Sequence, residues 1–79
     1  MNNPYKIVIS PAAFTQIKNL NPKDRKLIIK VLEALSINPR PPGATKISGM
    51  IGLYSEKVHA QRLIYKIEDL EILILLVKS

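Results

Sequence analysis

Several residue types and motifs on which enzymes commonly depend are absent from the sequence. It has no cysteine, which excludes disulfides and a Cys-ligated zinc site, and its single histidine excludes a two-histidine ribonuclease mechanism within one chain. It contains no glycine-rich phosphate loop. The longest apolar run, Ile72 to Val77, is far too short to span a bilayer, and the residues before Lys6 lack the basic and apolar regions of a signal peptide. We therefore expect a cytoplasmic protein that needs no metal or other cofactor and no membrane.

Positive charge dominates the composition. Twelve Lys and Arg stand against six Asp and Glu, which gives the 79-residue chain a net charge of +6. Such a surplus favours a polyanionic partner, whether nucleic acid, the ribosome or an acidic protein, although a basic surface can also serve solubility alone. The length allows one domain, spanning residues 1–79, with a thin core drawn from the 47% of residues that are apolar.

Two proline-led segments predict a hairpin of unequal helices. Ser10-Pro11 and Asn21-Pro22 each provide an N-cap residue followed by a proline, whose fixed φ and missing N–H suit the first helical position. Apolar residues then recur at helical spacing, from Ala13 to Leu20 and from Leu27 to Leu35. We expect the basic residues of these segments on the outer surface, namely Lys18, Lys23, Arg25, Lys26 and Lys30.

The rest of the sequence predicts strands. Residues 5–9 are rich in β-branched types, and the Asn-Pro-Arg-Pro-Pro-Gly segment at 38–43 ends the second helix. Three more strands are predicted at 51–58, 61–67 and 70–77. The order β-α-α-β-β-β predicts an α+β domain whose helical hairpin packs on one face of a small, mainly antiparallel four-stranded sheet. The last strand is apolar on both faces, which indicates a central strand and either simple burial or an apolar groove for a protein partner.

A two-residue turn at His59-Ala60 would place Lys57 directly opposite Arg62. Alternation then puts both side chains on the face away from the helices, with Ser55, Ile64 and Lys66. Like charges facing each other destabilise a sheet, but a cationic pair suits the extra negative charge of a phosphoryl transition state. Two alternatives stay open: a longer loop would shift the register, and a lone edge-strand lysine can simply discourage aggregation.

Two further side chains are candidate acid–base groups. Glu56 falls on the core side by alternation, so either its strand is an edge or a bulge re-aims it. His59 is either an exposed turn residue or, if its turn folds over the cationic face, a general acid.

Five short segments carry a family resemblance and are, in chain order, Ser10-Pro11-Ala12-Ala13, 38–43, Lys46-Ile47-Ser48-Gly49, Leu53-Tyr54 and Arg62-Leu63-Ile64-Tyr65. Their order and spacing resemble those of the RelE/ParE toxin superfamily, with RelE and YoeB the most similar branch. The resemblance spans essentially the whole chain. It implies an endoribonuclease that cuts mRNA in the ribosomal A site, inhibits translation and is neutralised by a cognate antitoxin. It also implies a metal-free reaction in which the ribose 2′-OH attacks the adjacent phosphate.

Residue by residue, the resemblance makes Arg62, Lys57 and Lys46 the catalytic cations and places Arg40 on a nearby loop. Ser55 stands where RelE members usually carry another Arg or Lys, whereas YoeB-like members have Ser there. Family chains also continue past the last strand into a tail with His or Arg and a Tyr, whereas this sequence ends at Ser79, so we expect a weakened activity. The residues expected to contact RNA are Arg40, Lys18, Lys23, Arg25, Lys26, Lys30 and Lys66.

Two other functions compete with the ribonuclease. A ParE-like toxin would bind and inhibit DNA gyrase and cut nothing, and a non-catalytic remnant would only bind its antitoxin. The short helical hairpin and the Lys57/Arg62 pair favour the ribonuclease.

Overall fold

The computed structural model of the protein describes residues 5–78, so the expectations about the first four residues and about Ser79 lie outside the described residues. The chain forms an α+β fold, as predicted. Its elements, in chain order, are β1 (Lys6–Ile9), α1 (Pro11–Lys18), α2 (Pro22–Ile37), β2 (Ala44–Lys46), β3 (Leu53–Val58), β4 (Gln61–Glu68) and β5 (Glu71–Lys78). No helix within residues 5–78 is long and apolar enough to cross a membrane.

Within residues 5–78 the sheet has five strands in the order β1-β5-β4-β3-β2, one more than predicted. The additional strand, β2, has three residues and pairs antiparallel with β3 at the edge of the sheet. Three residues are too few to show alternation, which is why the sequence pattern missed it. β5 lies between β1 and β4, so the prediction of a central last strand is confirmed, and β1 runs parallel to it.

The two predicted helix starts are confirmed by their caps. The Ser10 hydroxyl accepts a hydrogen bond from the Ala13 amide at 3.1 Å, and the Asn21 side chain accepts one from the Asp24 amide at 2.8 Å. Both helices pack on the same face of the sheet. The side chains between the two layers form the core, and the fully buried ones include Ala13, Ile28, Leu35, Leu63, Tyr65, Ile72 and Ile74.

A bulge in β5 sets the orientation of the end of that strand. Ile64 pairs with Leu76 but Tyr65 pairs with Ile74, so Leu75 is an extra residue. The N-cap of α1 and one of its side chains bond the backbone there. The Ser10 hydroxyl donates to the Leu75 carbonyl at 2.9 Å, and Gln16 Oε1 accepts from the Val77 amide at 2.7 Å. The shift brings Val77 into the core and leaves the side chain of Lys78 pointing away from the helices.

Candidate functional site

Three cations align across neighbouring strands on the open face of the sheet. The strand register pairs Lys57 of β3 with Arg62 of β4, as predicted, and Arg62 with Lys78 of β5. Paired residues of antiparallel strands project from the same face of a sheet. The adjoining Val58 and Leu63 are buried against the helices, so the three cations project from the face that points away from the helices. We call Lys57, Arg62 and Lys78 the basic row.

Sequence patterning did not find Lys78. Its place opposite Arg62 depends on the bulge at Leu75, and uninterrupted alternation along β5 would have turned its side chain to the other face. The run of apolar residues before it carries no signal that could have revealed it, because Ile72 to Val77 are all apolar. Only the structure shows that Ile72, Ile74 and Val77 are the buried ones, a spacing that breaks period two at the bulge.

Ser55 orients the central cation of the row. Nη1 of Arg62 donates a hydrogen bond to the Ser55 hydroxyl at 2.8 Å, and Ser55 is only 8% exposed. The ion pairs found within residues 5–78 do not include the basic row. The remaining guanidinium donors of Arg62 and the ammonium groups of its neighbours can therefore hold a phosphodiester and stabilise negative charge that develops on it.

The structure separates Lys46 and Arg40 from the basic row. The register pairs Lys46 with Tyr54, which places its side chain on the helix-facing side of the edge strand. Nε of Arg40 donates to the Tyr54 hydroxyl at 3.0 Å, with its guanidinium carbon 5.6 Å from the ring centroid, and this hydrogen bond raises the pKa of Arg40. Tyr54 stacks on Tyr65, whose hydroxyl donates to the Pro39 carbonyl at 2.9 Å. Arg40 is thereby held against the sheet on the face opposite the row.

The two candidate acid–base residues also lie away from the basic row. Glu56 lies on the core side, as alternation predicted. Neither explanation expected for it holds, because β2 pairs with β3 at Glu56 and the register of β3 with β4 has no bulge there. Its Oε1 is buried without a hydrogen-bond partner among residues 5–78. Burial raises the pKa of this carboxyl. Nδ1 of His59 lies 3.3 Å from Oδ1 of Asp24 at the start of α2, so the imidazole is directed toward the helices.

The basic residues of the helices divide into two groups. Nη2 of Arg25 donates to the carbonyls of Lys18 and Leu20, at 3.1 and 3.0 Å, and so caps the end of α1. Lys18 and Arg25 also border an apolar groove of about 570 Å³, lined by Ile9, Phe14, Ile17, Ile29 and Leu32. Lys23, Lys26 and Lys30 are exposed on α2.

The middle of the open face is apolar, and its far end is charged. Ile64 and Leu76 form the pair two positions from the basic row, and Val8 pairs with Leu73 farther along. Lys66 lies next to Leu73 and makes an ion pair of 3.3 Å with Glu68, and Glu71 is paired with Glu68 on one side and with Lys6 on the other. An apolar strip therefore separates the basic row from a second end that carries charges of both signs.

Comparisons with known proteins find similar folds among solved structures. No protein-family profile and no curated protein matches the sequence. Among solved structures, the RelBE toxin–antitoxin complex of E. coli is similar with a TM-score of 0.84 at 22% identity over 95% of both chains. The RelE–RelB complex of Pyrococcus horikoshii is similar with a TM-score of 0.83 at 20% identity over 96% of this chain and 94% of that one.

A third structure has a higher sequence identity. The YoeB dimer of Staphylococcus aureus is 31% identical over 96% of this chain and 97% of its own, with a TM-score of 0.79. The chain belongs to the RelE/ParE toxin superfamily. Within this RelE/ParE fold, the basic row occupies the strands β3, β4 and β5, on the sheet face that the helices leave open.

Proposed function

We propose that this RelE/ParE-family chain is a single-domain toxin, residues 1–79, that cleaves mRNA on the ribosome and so inhibits translation. The observation that carries the proposal is the basic row. Like charges in one row cost stability, and the geometry is understandable if a phosphodiester occupies that surface during the reaction.

In the proposed reaction the ribose 2′-OH gives up its proton to solvent as its oxygen attacks the adjacent phosphorus and forms a 2′,3′-cyclic phosphate. The bond to the 5′ oxygen breaks, and that oxygen takes up a proton from solvent. Arg62, oriented by Ser55, and Lys57 hold the non-bridging oxygens and stabilise the extra charge of the transition state. Arginine stays protonated near neutral pH, so Arg62 supplies charge and not protons. Lys78 extends the row toward the next phosphate.

RNA contacts beyond the row are proposed for the other exposed cations. Arg40 and Lys46 lie on the helix-facing side, so we assign Lys46 to RNA binding together with Arg40 and not to the reacting phosphate. The remaining contacts are proposed for Lys66 and for the exposed lysines of the helices, Lys18, Lys23, Lys26 and Lys30. Arg25 contributes less, because its guanidinium bonds the end of α1.

We propose a cognate antitoxin as the protein partner. The E. coli and Pyrococcus horikoshii structures are complexes of RelE with RelB, which supports a partner of this kind. The apolar groove bordered by Lys18 and Arg25 and the apolar part of the open face suit a segment that carries apolar and acidic side chains.

The test is cleavage of ribosome-bound mRNA by purified protein. We expect Arg62→Ala to abolish cleavage and growth inhibition while unfolding at nearly the wild-type temperature, because the side chain is exposed. Lys6→Ala is the matched control and should cleave at nearly the wild-type rate, because Lys6 is an exposed cation of β1 that pairs with Glu71, at the end of β5 opposite Lys78. A folded Arg62→Ala protein with full cleavage would refute the assignment. Growth inhibition without mRNA cleavage, accompanied by loss of gyrase supercoiling, would favour the ParE-like alternative.

A further inference from the structure

One buried carboxylate joins the helical hairpin to the β3–β4 turn, which connects the strands of Lys57 and Arg62. Asp24, in the first turn of α2, is 9% exposed. Its Oδ1 lies 3.3 Å from Nδ1 of His59, and its Oδ2 accepts hydrogen bonds of 3.1 Å from Nε2 of Gln61 and of 3.1 Å from Nδ2 of Asn21. Asp24 therefore contacts the β3–β4 turn and the first residue of β4 at the same time.

The backbone of this turn is of a kind that benefits from such a contact. His59 has a φ of 57°, in the left-handed region that Gly or Asn adopts at lower cost. Glycine at this position would relieve the backbone but could not contact Asp24, and the contact gives a physical reason for a histidine there. A buried carboxylate, in turn, is tolerated only when polar partners compensate for its lost hydration, and His59 and Gln61 supply part of that compensation.

The contact lies beside the most repulsive part of the sheet. Lys57 precedes His59 by two residues, and Arg62 directly follows Gln61. The two cations face each other at the tip of the hairpin, where their repulsion favours separation or fraying of the strands. Asp24 acts on the same tip from the opposite side of the sheet and opposes that movement.

We infer that Asp24 is a positioning residue for the basic row, acting through His59 and Gln61. By holding the turn against α2, it fixes the spacing at which Lys57 and Arg62 present their charges to a phosphate. The restraint of the turn by Asp24 is independent of what the row binds, whereas the effect of that restraint on cleavage rests on the proposed function.

The first test is amide hydrogen exchange along the hairpin, which requires no activity. We expect Asp24→Asn to speed exchange of the amides of residues 57–62 by about tenfold, relative to core amides of β5. Ser36→Ala is the matched control, since it also removes a buried side-chain hydrogen bond of α2, to the Glu33 carbonyl at 2.6 Å, but at the far end of the helix. His59→Asn, which suits the left-handed turn and removes the contact of the imidazole with Asp24, is a second variant and should loosen the same amides. Hairpin exchange that rises no more in Asp24→Asn than in Ser36→Ala would overturn the inference.

The second test separates positioning from electrostatic attraction. Replacing Asp24 by Asn removes a negative charge, so electrostatics alone would strengthen RNA binding and speed cleavage. Positioning predicts the opposite for the chemical step: the single-turnover rate constant on ribosome-bound mRNA falls about tenfold, while RNA affinity does not weaken. His59→Asn should slow cleavage in the presence of Asp24 and have no further effect in the Asp24→Asn background.

The outcomes of the two tests are distinguishable. A loosened hairpin that cleaves at the wild-type rate would overturn the positioning role while leaving the proposed function intact. If the wild type and Arg62→Ala are equally inactive on ribosome-bound mRNA, the proposed function fails, and the exchange data alone then confirm or overturn the restraint of the hairpin by Asp24.

Discussion

The alignment of like charges predicts that the basic row weakens the fold that carries it. Unit charges about 6 Å apart in water repel by about 0.7 kcal/mol, and screening at physiological ionic strength lowers this to about 0.3 kcal/mol. Lys57 directly faces one such neighbour, Arg62. We therefore expect Lys57→Thr to raise the free energy of unfolding by about 0.3 kcal/mol, which corresponds to an increase of about 2 °C in Tm for a domain of this size.

Salt dependence distinguishes this repulsion from a change in strand propensity. The increase in the free energy of unfolding of Lys57→Thr should grow to about 0.6 kcal/mol at 0.01 M salt and fall to about 0.1 kcal/mol at 1 M salt. Lys6→Thr is the control, because Lys6 is also an exposed strand lysine but faces the carboxylate of Glu71, so its Tm shift should have the opposite dependence on salt. The measurement is thermal unfolding followed by circular dichroism at the three salt concentrations. A Lys57→Thr protein that gains nothing at low salt, or whose gain does not shrink with salt, would refute the reasoning.

Two further predictions concern the supporting structure. Gly52 and Gly49 both have positive φ, but an alanine Cβ at Gly52 would lie 2.9 Å from the Ile67 carbonyl oxygen, whereas nothing lies within 4 Å at Gly49. Urea unfolding should show that the free energy of unfolding falls by about 1 kcal/mol in Gly49→Ala and by about 2 to 4 kcal/mol in Gly52→Ala. Equal losses in the two variants would contradict this reasoning. Burial raises the pKa of Glu56 above 4.5, so its contribution to stability is present below pH 4.5 and is lost as pH rises through the folded-state pKa. Glu56→Gln should therefore raise the free energy of unfolding at pH 7 by about 0.5 kcal/mol, a small value because Glu56 is only partly buried. The variant should also have a flatter pH dependence of Tm above pH 4.5. An unchanged profile would show that Glu56 does not cause the pH dependence.

Local signals in the sequence were sufficient to predict much of the fold. Helix starts depend on a cap and a proline that are adjacent in the chain, so Ser10 and Asn21 identified both helices. The pairing of Lys57 with Arg62 follows from a turn of two residues and from alternation, both of which are also local. These features required no knowledge of where distant segments pack.

Features that depend on distant contacts could not be predicted in the same way. The edge strand β2 is defined by its pairing with β3 and not by its own three residues. That pairing also determines that Lys46 lies on the helix-facing side. The contacts of Asp24 with His59 and Gln61 join residues more than 30 positions apart, and no periodicity connects them. Lys78 enters the row only through a bulge that α1 side chains stabilise.

The arrangement of the hairpin explains how a thin domain can carry a repulsive row. Lys57 and Arg62 are each adjacent in sequence to a core residue, Val58 and Leu63, so the strands that present the charges are the same strands that the core immobilises. Side chains held on packed strands keep their geometry better than side chains on loops, which favours a surface that must match a phosphate. Relieving the repulsion, as in Lys57→Thr, is then expected to stabilise the protein and slow cleavage together. A variant that became both more stable and faster would show that the charges are not arranged for the reaction.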